Sequence, residues 1–180
     1  MIGDANKNIS SSYSGWIDLF GWGTGNNTIS NGGGKSWFTL TKDEWVYVFD
    51  KRSTSSGIRY AKAIVNGVNG MILLPDNWNK STYSLSNTNK YDAGFSSNRI
   101  SQTDWTNKFE ANGAVFLPAV GYRNGTDVYG VGSAGYYWSA SCEDSDDAYS
   151  VGFGEGGLYA DDWDGRYNGQ SVRLVCSAEN

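Results

Sequence analysis

The spacing of apolar residues changes period along the chain and marks out its elements. Thr41-Lys42-Asp43-Glu44 has the S/T-x-x-E spacing of a capping box, and Trp45, Val48, Phe49 and Arg52 follow at i, i+3, i+4 and i+7. This predicts an amphipathic helix over 42–51. Residues 58–65 and 70–74 are apolar, β-favouring runs parted by Asn66-Gly67 and Asn69-Gly70, the signature of a hairpin that stops at Pro75. Beyond a long polar loop, 76–100, a second helix is marked by Ser101 as N-cap, Asp104 at N3, Trp105 and Phe109 at i and i+4, and a stop at Asn112-Gly113. Ala114-Val115-Phe116-Leu117-Pro118 reads as a buried strand and Tyr122-Arg123-Asn124-Gly125 as a turn.

Toward the C-terminus the period falls to two. Tyr149, Val151 and Phe153 are expected to point inward while Ser150, Gly152 and Gly154 point to solvent, and a last strand over 171–175 sets Val172 and Leu174 on one face. Ahead of the first helix, residues 1–12 read as a flexible polar arm, Trp16 to Gly25 as an aromatic loop plugging one end of the core, and 26–35 as a Gly/Asn-rich connection. The class is α+β, with two helices packed on short antiparallel sheets joined by long ordered loops. A single domain is expected over 13–180.

Residues 136–175 carry the most information. Tyr149, Val151, Phe153, Leu158, Trp163, Arg166, Val172 and Leu174 form a regular frame, with Trp45, Trp105, Trp138 and Trp163 expected in the core and Arg166 and Arg173 in structural roles. Between the frame residues lie Cys142, Asp144, Asp146, Asp147, Ser150, Gly152, Gly154, Gly157, Tyr159, Asp161, Asp162, Asp164, Gly165 and Tyr167. Glycine and aspartate at outward strand positions weaken β structure with no local return, so a demand other than folding selects them. These residues are the candidate ligand-binding positions, a scaffold displaying exchangeable side chains.

Composition narrows the chemistry. Aromatics make up 15 % of the chain, with eight Trp, 24 Gly and two Pro, which suits a loop-rich fold with large rings inside. The net charge of −5 is uneven: beyond residue 130 the bases are Arg166 and Arg173 alone, against acids that include Glu143, Asp144, Asp146, Asp147, Glu155, Asp161, Asp162 and Asp164. Nucleic acid requires a basic patch and is excluded as a partner of this surface, whereas a cationic or neutral polar partner fits it. The absence of His removes the commonest general base and the usual zinc ligand. Cys142 and Cys176 read as free thiols. No run reaches the roughly 20 apolar residues of a membrane span, and Met1-Ile2-Gly3-Asp4 opens no signal peptide, so the expectation is a soluble chain without direct membrane insertion.

Gly121-Tyr122-Arg123, Gly135-Tyr136-Tyr137-Trp138-Ser139-Ala140, Ala148-Tyr149 and the close Arg166-Tyr167-Asn168-Gly169-Gln170-Ser171-Val172-Arg173-Leu174-Val175 carry a family resemblance. In these blocks the chain resembles the Fibrobacter succinogenes major paralogous domain and the variable proteins of diversity-generating retroelements, closely over 114–175 and loosely over 16–176. The resemblance implies a C-type lectin-like fold of the formylglycine-generating-enzyme type. It also implies a hypervariable face, over about 136–175, that binds a protein or glycan ligand on a cell surface, displayed on a phage tail or a bacterial surface as a receptor-binding protein or adhesin. In such retroelements, template AAY codons for Asn are copied with errors at adenine. That reaches Asp, Ser, Gly, Tyr and Cys but never Trp, Glu, Lys, Gln or Met, so Trp163, Glu143 and Glu155 are expected to be fixed.

Three other readings share the frame. An enzyme could use Asp144 with Asp146, or Asp162 with Asp164, as acid and base, but adjacent acids in Gly-rich loops are commonly solvated charge, and the expectation is no catalysis. A calcium-dependent carbohydrate-binding lectin could draw oxygen ligands from Glu143, Asp144, Asp146, Asp147, Asp161, Asp162 and Asp164, although EF-hand spacing and a Glu-Pro-Asn motif are missing. No other cofactor is implied. An undiversified surface adhesin or structural domain of the same fold is the third.

Overall fold

The structure, a computed structural model, describes residues 29–30 and 36–176. The expected arm over 1–12, the aromatic loop 16–25 and most of the connection 26–35 lie outside the described residues. Both expected helices form where the capping signals put them. Thr41 Oγ1 accepts from the Glu44 N–H while the Glu44 carboxylate accepts from the Thr41 N–H at 2.8 Å, closing the capping box of the first helix, Lys42–Val46. The helix widens into a π turn at Tyr47–Lys51, which keeps Trp45 and Phe49 buried with their rings stacked 6.0 Å apart. Ser101 caps the second helix, Gln102–Asp104, by accepting from the Asp104 N–H at 3.1 Å. A π turn at Trp105–Phe109 and a 3-10 turn at Glu110–Asn112 follow, ending at Gly113, whose φ of 86° is the left-handed stop that glycine permits.

The strands are β1 (Ile29–Ser30), β2 (Ser36–Thr39), β3 (Tyr60–Val65), β4 (Val68–Leu73), β5 (Arg99–Ile100), β6 (Val115–Pro118), β7 (Val120–Asn124), β8 (Asp127–Val131), β9 (Ala134–Cys142), β10 (Asp147–Gly154), β11 (Gly157–Gly165) and β12 (Leu174–Cys176). They form a four-stranded sheet in the order β5-β3-β4-β6, a five-stranded sheet β11-β10-β9-β7-β8 and a three-stranded sheet β1-β2-β12. The first hairpin turns at Asn66-Gly67, both at positive φ.

The four-stranded sheet is the middle layer, because both of its faces are apolar. Tyr60 and Met71 pack on one side with Trp45, Phe49, Leu117, Tyr137, Val151 and Phe153, joining it to the first helix and the five-stranded sheet. Ala63, Val65 and Ile72 pack on the other side with Trp105 and Phe109 of the second helix and with Trp78.

Several sequence expectations are corrected. The sheets are not purely antiparallel, since β3 runs parallel to β5 and β7 parallel to β9. Tyr122 to Asn124 belong to β7, and Gly125, at φ 60°, makes the turn instead: Asn-Gly is a hairpin signal, and the alternation flanking it marks strands. Of strand β6 only Leu117 is fully buried. The last strand begins at Leu174; Ser171 merely bridges to Tyr137, so Val172 is exposed and does not share a packed face with Leu174.

Candidate functional site

Strand register sorts the candidate residues into faces, because directly paired residues stand on the same side of a sheet. Val151 pairs with Tyr137, and Phe153 with Leu158 and Gly135; all turn toward the first helix and its core. Ser150 pairs with Trp138 and Asp162, and Gly152 with Tyr136 and Tyr159, on the opposite, outer face. Alternation is therefore as expected, but Ser150 and Gly152 do not meet solvent. Ser150 is 1 % exposed, and a Cβ on Gly152 would lie 2.8 Å from Asp162 Oδ2 and 3.4 Å from the Tyr136 ring. Side chains of the neighbouring strands lie across Gly152, and Ser150 is flanked by its paired residues Trp138 and Asp162.

The outer face continues onto β7 and β8. Tyr122 pairs with Tyr129, their rings stacked at 5.5 Å, and Tyr122 meets Tyr136 edge to face at 5.3 Å. A row of Tyr129, Tyr122, Tyr136, Gly152 and Tyr159 thus crosses all five strands. Tyr122 and Tyr129 were missed by sequence reasoning that took Tyr122 into a turn; the alternation on either side of Asn124-Gly125 was the signal that could have found them.

Glycine in this region makes room for rings. A strand's i and i+2 residues share a face, so Tyr159 folds back over Gly157, where a Cβ would come within 2.7 Å of the ring; Tyr167, in the turn after β11, covers Gly165 at 2.5 Å. These glycines do not line open hollows, as a display surface of Gly, Asp and Ser would suggest.

The fourteen candidates do not form a single face. Ser150, Gly152, Gly154, Gly157, Tyr159, Asp162 and Asp164 share the outer side by register. Asp147 and Gly165 pair with each other on the opposite side, together with Tyr149 and Trp163, and Tyr167 covers Gly165. Asp161 is exposed at a bulge, where β11 fits Ala160 and Asp161 against Val151 alone. Cys142 is the exposed last residue of β9, paired with Ala148 on the outer side, and Asp144 and Asp146 occupy the exposed turn between β9 and β10. There Asp144 Oδ1 accepts the Asp146 and Asp147 N–H groups at 2.7 and 2.8 Å, which holds its carboxyl below the usual range. Arg166, buried, donates to the Ser145 carbonyl and so ties this turn to the end of β11, as its structural assignment required.

Other frame residues depart from expectation. Trp163 is 58 % exposed: it stands on the helix side of the sheet, but on an edge strand, beside Tyr149, whose ring lies under the Lys42 ammonium. Trp138 is half-buried on the outer face, paired with Ser150, and Arg173 is exposed, while Trp45 and Trp105 are core residues as expected. Both cysteines are free thiols.

A residue the sequence did not flag anchors the tip of the β10–β11 hairpin. Lys62 on β3 is buried, and its ammonium donates to the carbonyls of Tyr91 at 2.6 Å, Gly157 at 2.9 Å and Gly154. Burial lowers its pKa to about 8.

The electrostatics of the outer face are one-sided. Burial raises the Asp162 pKa, and Asp164 and Asp161 raise it further, against one hydrogen bond from the Trp163 N–H. Asp164 is fixed by Gly165 N–H at 2.8 Å, Asn168 Nδ2 at 2.7 Å and Gln170 Nε2 at 3.0 Å. Tyr136 is raised by burial, then by Tyr122, Asp162 and Asp164. Among the described residues no three His, Cys, Asp or Glu converge in a group that could hold a metal ion. Among the same residues no helix is long and apolar enough to cross a membrane.

Residues 87–175, just under half of the chain, match the family model of a domain of unknown function, DUF8237. The match runs from the loop before β5 to β12 and so includes the whole outer face. No curated protein and no solved structure matches the chain.

Proposed function

We propose that this chain is a ligand-binding protein, without catalysis, whose outer β7–β11 face is the binding surface and whose exposed side chains are diversified by a retroelement. The observation that carries the reading is the outer face itself. Stability comes from Val151, Phe153, Tyr137 and the helix on one side, while the other side assembles tyrosine rings and carboxylates that no packing requirement demands. Tyrosine supplies rigid amphipathic contact area, and Asp and Ser supply adaptable hydrogen bonds, the chemistry of antibody paratopes. A C-type lectin-like scaffold fits the mixed helix and sheet architecture with its long ordered loop 76–98. A partner on a bacterial surface, met by an adhesin or a phage receptor-binding protein, fits a face of this kind.

The test is the DNA beside the coding region. A near-identical repeat with AAY codons where this chain has Gly152, Tyr159, Asp161, Asp162 and Asp164, next to a reverse transcriptase, is the expected result. If neither is present, the diversification reading fails, leaving an undiversified adhesin of the same fold.

A further inference from the structure

We propose that the outer face receives an arginine side chain of a protein partner, seated between the Asp162 carboxylate and the Tyr136 ring; this rests on the outer face being the binding surface. Asp162 is half-buried, accepts among the described residues only the N–H of the next residue, and has Asp161 and Asp164 as its charged neighbours there. The ion pairs Lys42–Asp43, Arg52–Asp76 and Lys108–Asp104 lie elsewhere, and no base of the described chain reaches Asp162 or Asp164. A carboxylate held out of water beside other carboxylates is stabilised by any cation brought to it.

The surroundings add what a lone cluster of acids lacks. Ser150, paired directly with Asp162 on the same face and 1 % exposed, has a hydroxyl with no hydrogen-bond partner among the described residues. Asn168, also buried, turns its amide nitrogen to Asp164 and leaves its Oδ1 without a partner among the described residues, as Gln170 leaves its Oε1. The Ser150 hydroxyl can donate or accept, whereas the two amide oxygens beside Asp164 can only accept and call for donors. Asp164, gripped by three N–H groups, is a fixed charge, whereas Asp162 retains unshared lone pairs. Asp162 Oδ2 lies over Gly152 beside Tyr136, so a planar donor fork can meet the carboxylate and the ring together. A guanidinium has that shape, pairing with carboxylates through parallel N–H groups while lying flat on an aromatic face; an ammonium can sit over a ring but is a point charge without the fork.

The experiment pans a random peptide library against the immobilised full chain and measures the selected peptides against D162N, D161N and Y159A. Asp161 serves as the charge-matched control, because D161N changes net charge equally one residue away. The expected result is peptides sharing an arginine, with affinity reduced about tenfold or more by D162N and less than about threefold by D161N. Replacing that arginine by citrulline should give the same loss, and no further loss in D162N. Equal losses in D161N and D162N would mean attraction to net charge alone and overturn the seat. Peptides lost with Y159A yet indifferent to D162N would overturn the seat while keeping the face as a binding surface. Peptides indifferent to all three variants, or a library that yields none, would count against the face itself. D162N removes a carboxylate that burial disfavours, so loss of binding through unfolding is not expected, and a thermal melt checks it.

Discussion

The two faces of the β9–β10–β11 sheet are built from alternate residues of the same strands, yet they answer to different constraints. On the helix side, Val151, Phe153 and Tyr137 interlock with rings from other elements, the Phe153 ring stacking on Tyr137 at 6.1 Å and meeting Phe95 edge to face at 6.4 Å. On the outer side, Asp162 and Tyr136 lie over Gly152, and Ser150 is paired with Trp138 and Asp162. Burial is thus similar in extent on the two sides, but the neighbours that provide it differ in kind. One cover is a packed aromatic interior; the other is made of half-buried polar and aromatic side chains.

That contrast is broken or sharpened most strongly at Phe153. Phe153→Ala should cost about 3–5 kcal/mol in urea unfolding, since it empties a site enclosed on all sides. Next comes a matched pair of glycines. A Cβ at Gly135 would be driven into the Phe153 ring, which cannot yield, so Gly135→Ala should cost about 2–3 kcal/mol. At Gly152 the same methyl meets the free end of Asp162, and Gly152→Ala should cost less than about 1 kcal/mol. Equal penalties in the two variants would show that the outer cover is as rigid as the core.

Lys62 offers a pH test. Its folded pKa, near 8, lies below the value of 10.5 in the unfolded chain, so the unfolded state holds more protons between those values. The stability difference between the native protein and Lys62→Met should therefore shift in favour of the native protein as pH rises from 8 to 10.5, by at most about 3 kcal/mol. Denaturant melts of both proteins across that range measure it. The smallest effect is expected at Asp162. Its pKa is raised on folding, so its ionised form destabilises the native state near neutral pH. Asp162→Asn should raise the melting temperature slightly at pH 7, and the gain should fade as pH falls through the raised pKa.

Local signals in the sequence located the helices and the first hairpin well, because capping boxes, Asn-Gly turns and left-handed stops act within a few residues. The two-residue period of β10 was equally plain. Coverage across strands was not: whether Ser150 is wet depends on Trp138 and Asp162, which register brings beside it from 12 residues away on either side. Trp163 failed for a related reason, since its bulk promised burial while its place on an edge strand denied it. Asp144 and Asp146 read as part of the display face because they share its composition, but a bend between β9 and β10 carries them to the end of the sheet. Lys62 gave no signal, as a lysine in an apolar strand discloses nothing about the carbonyls folded around it.

The Lys62 anchor has a consequence for how such a hairpin can change over generations. Every oxygen it grips belongs to the main chain, at Tyr91, Gly154 and Gly157, and the main chain has the same oxygen whatever codon is read. The fastening itself is therefore indifferent to the spelling of the loop it fastens, and what limits rewriting at the tip of β10 and β11 is the room beside Gly154 and Gly157 rather than the stitch that holds the tip to the middle sheet.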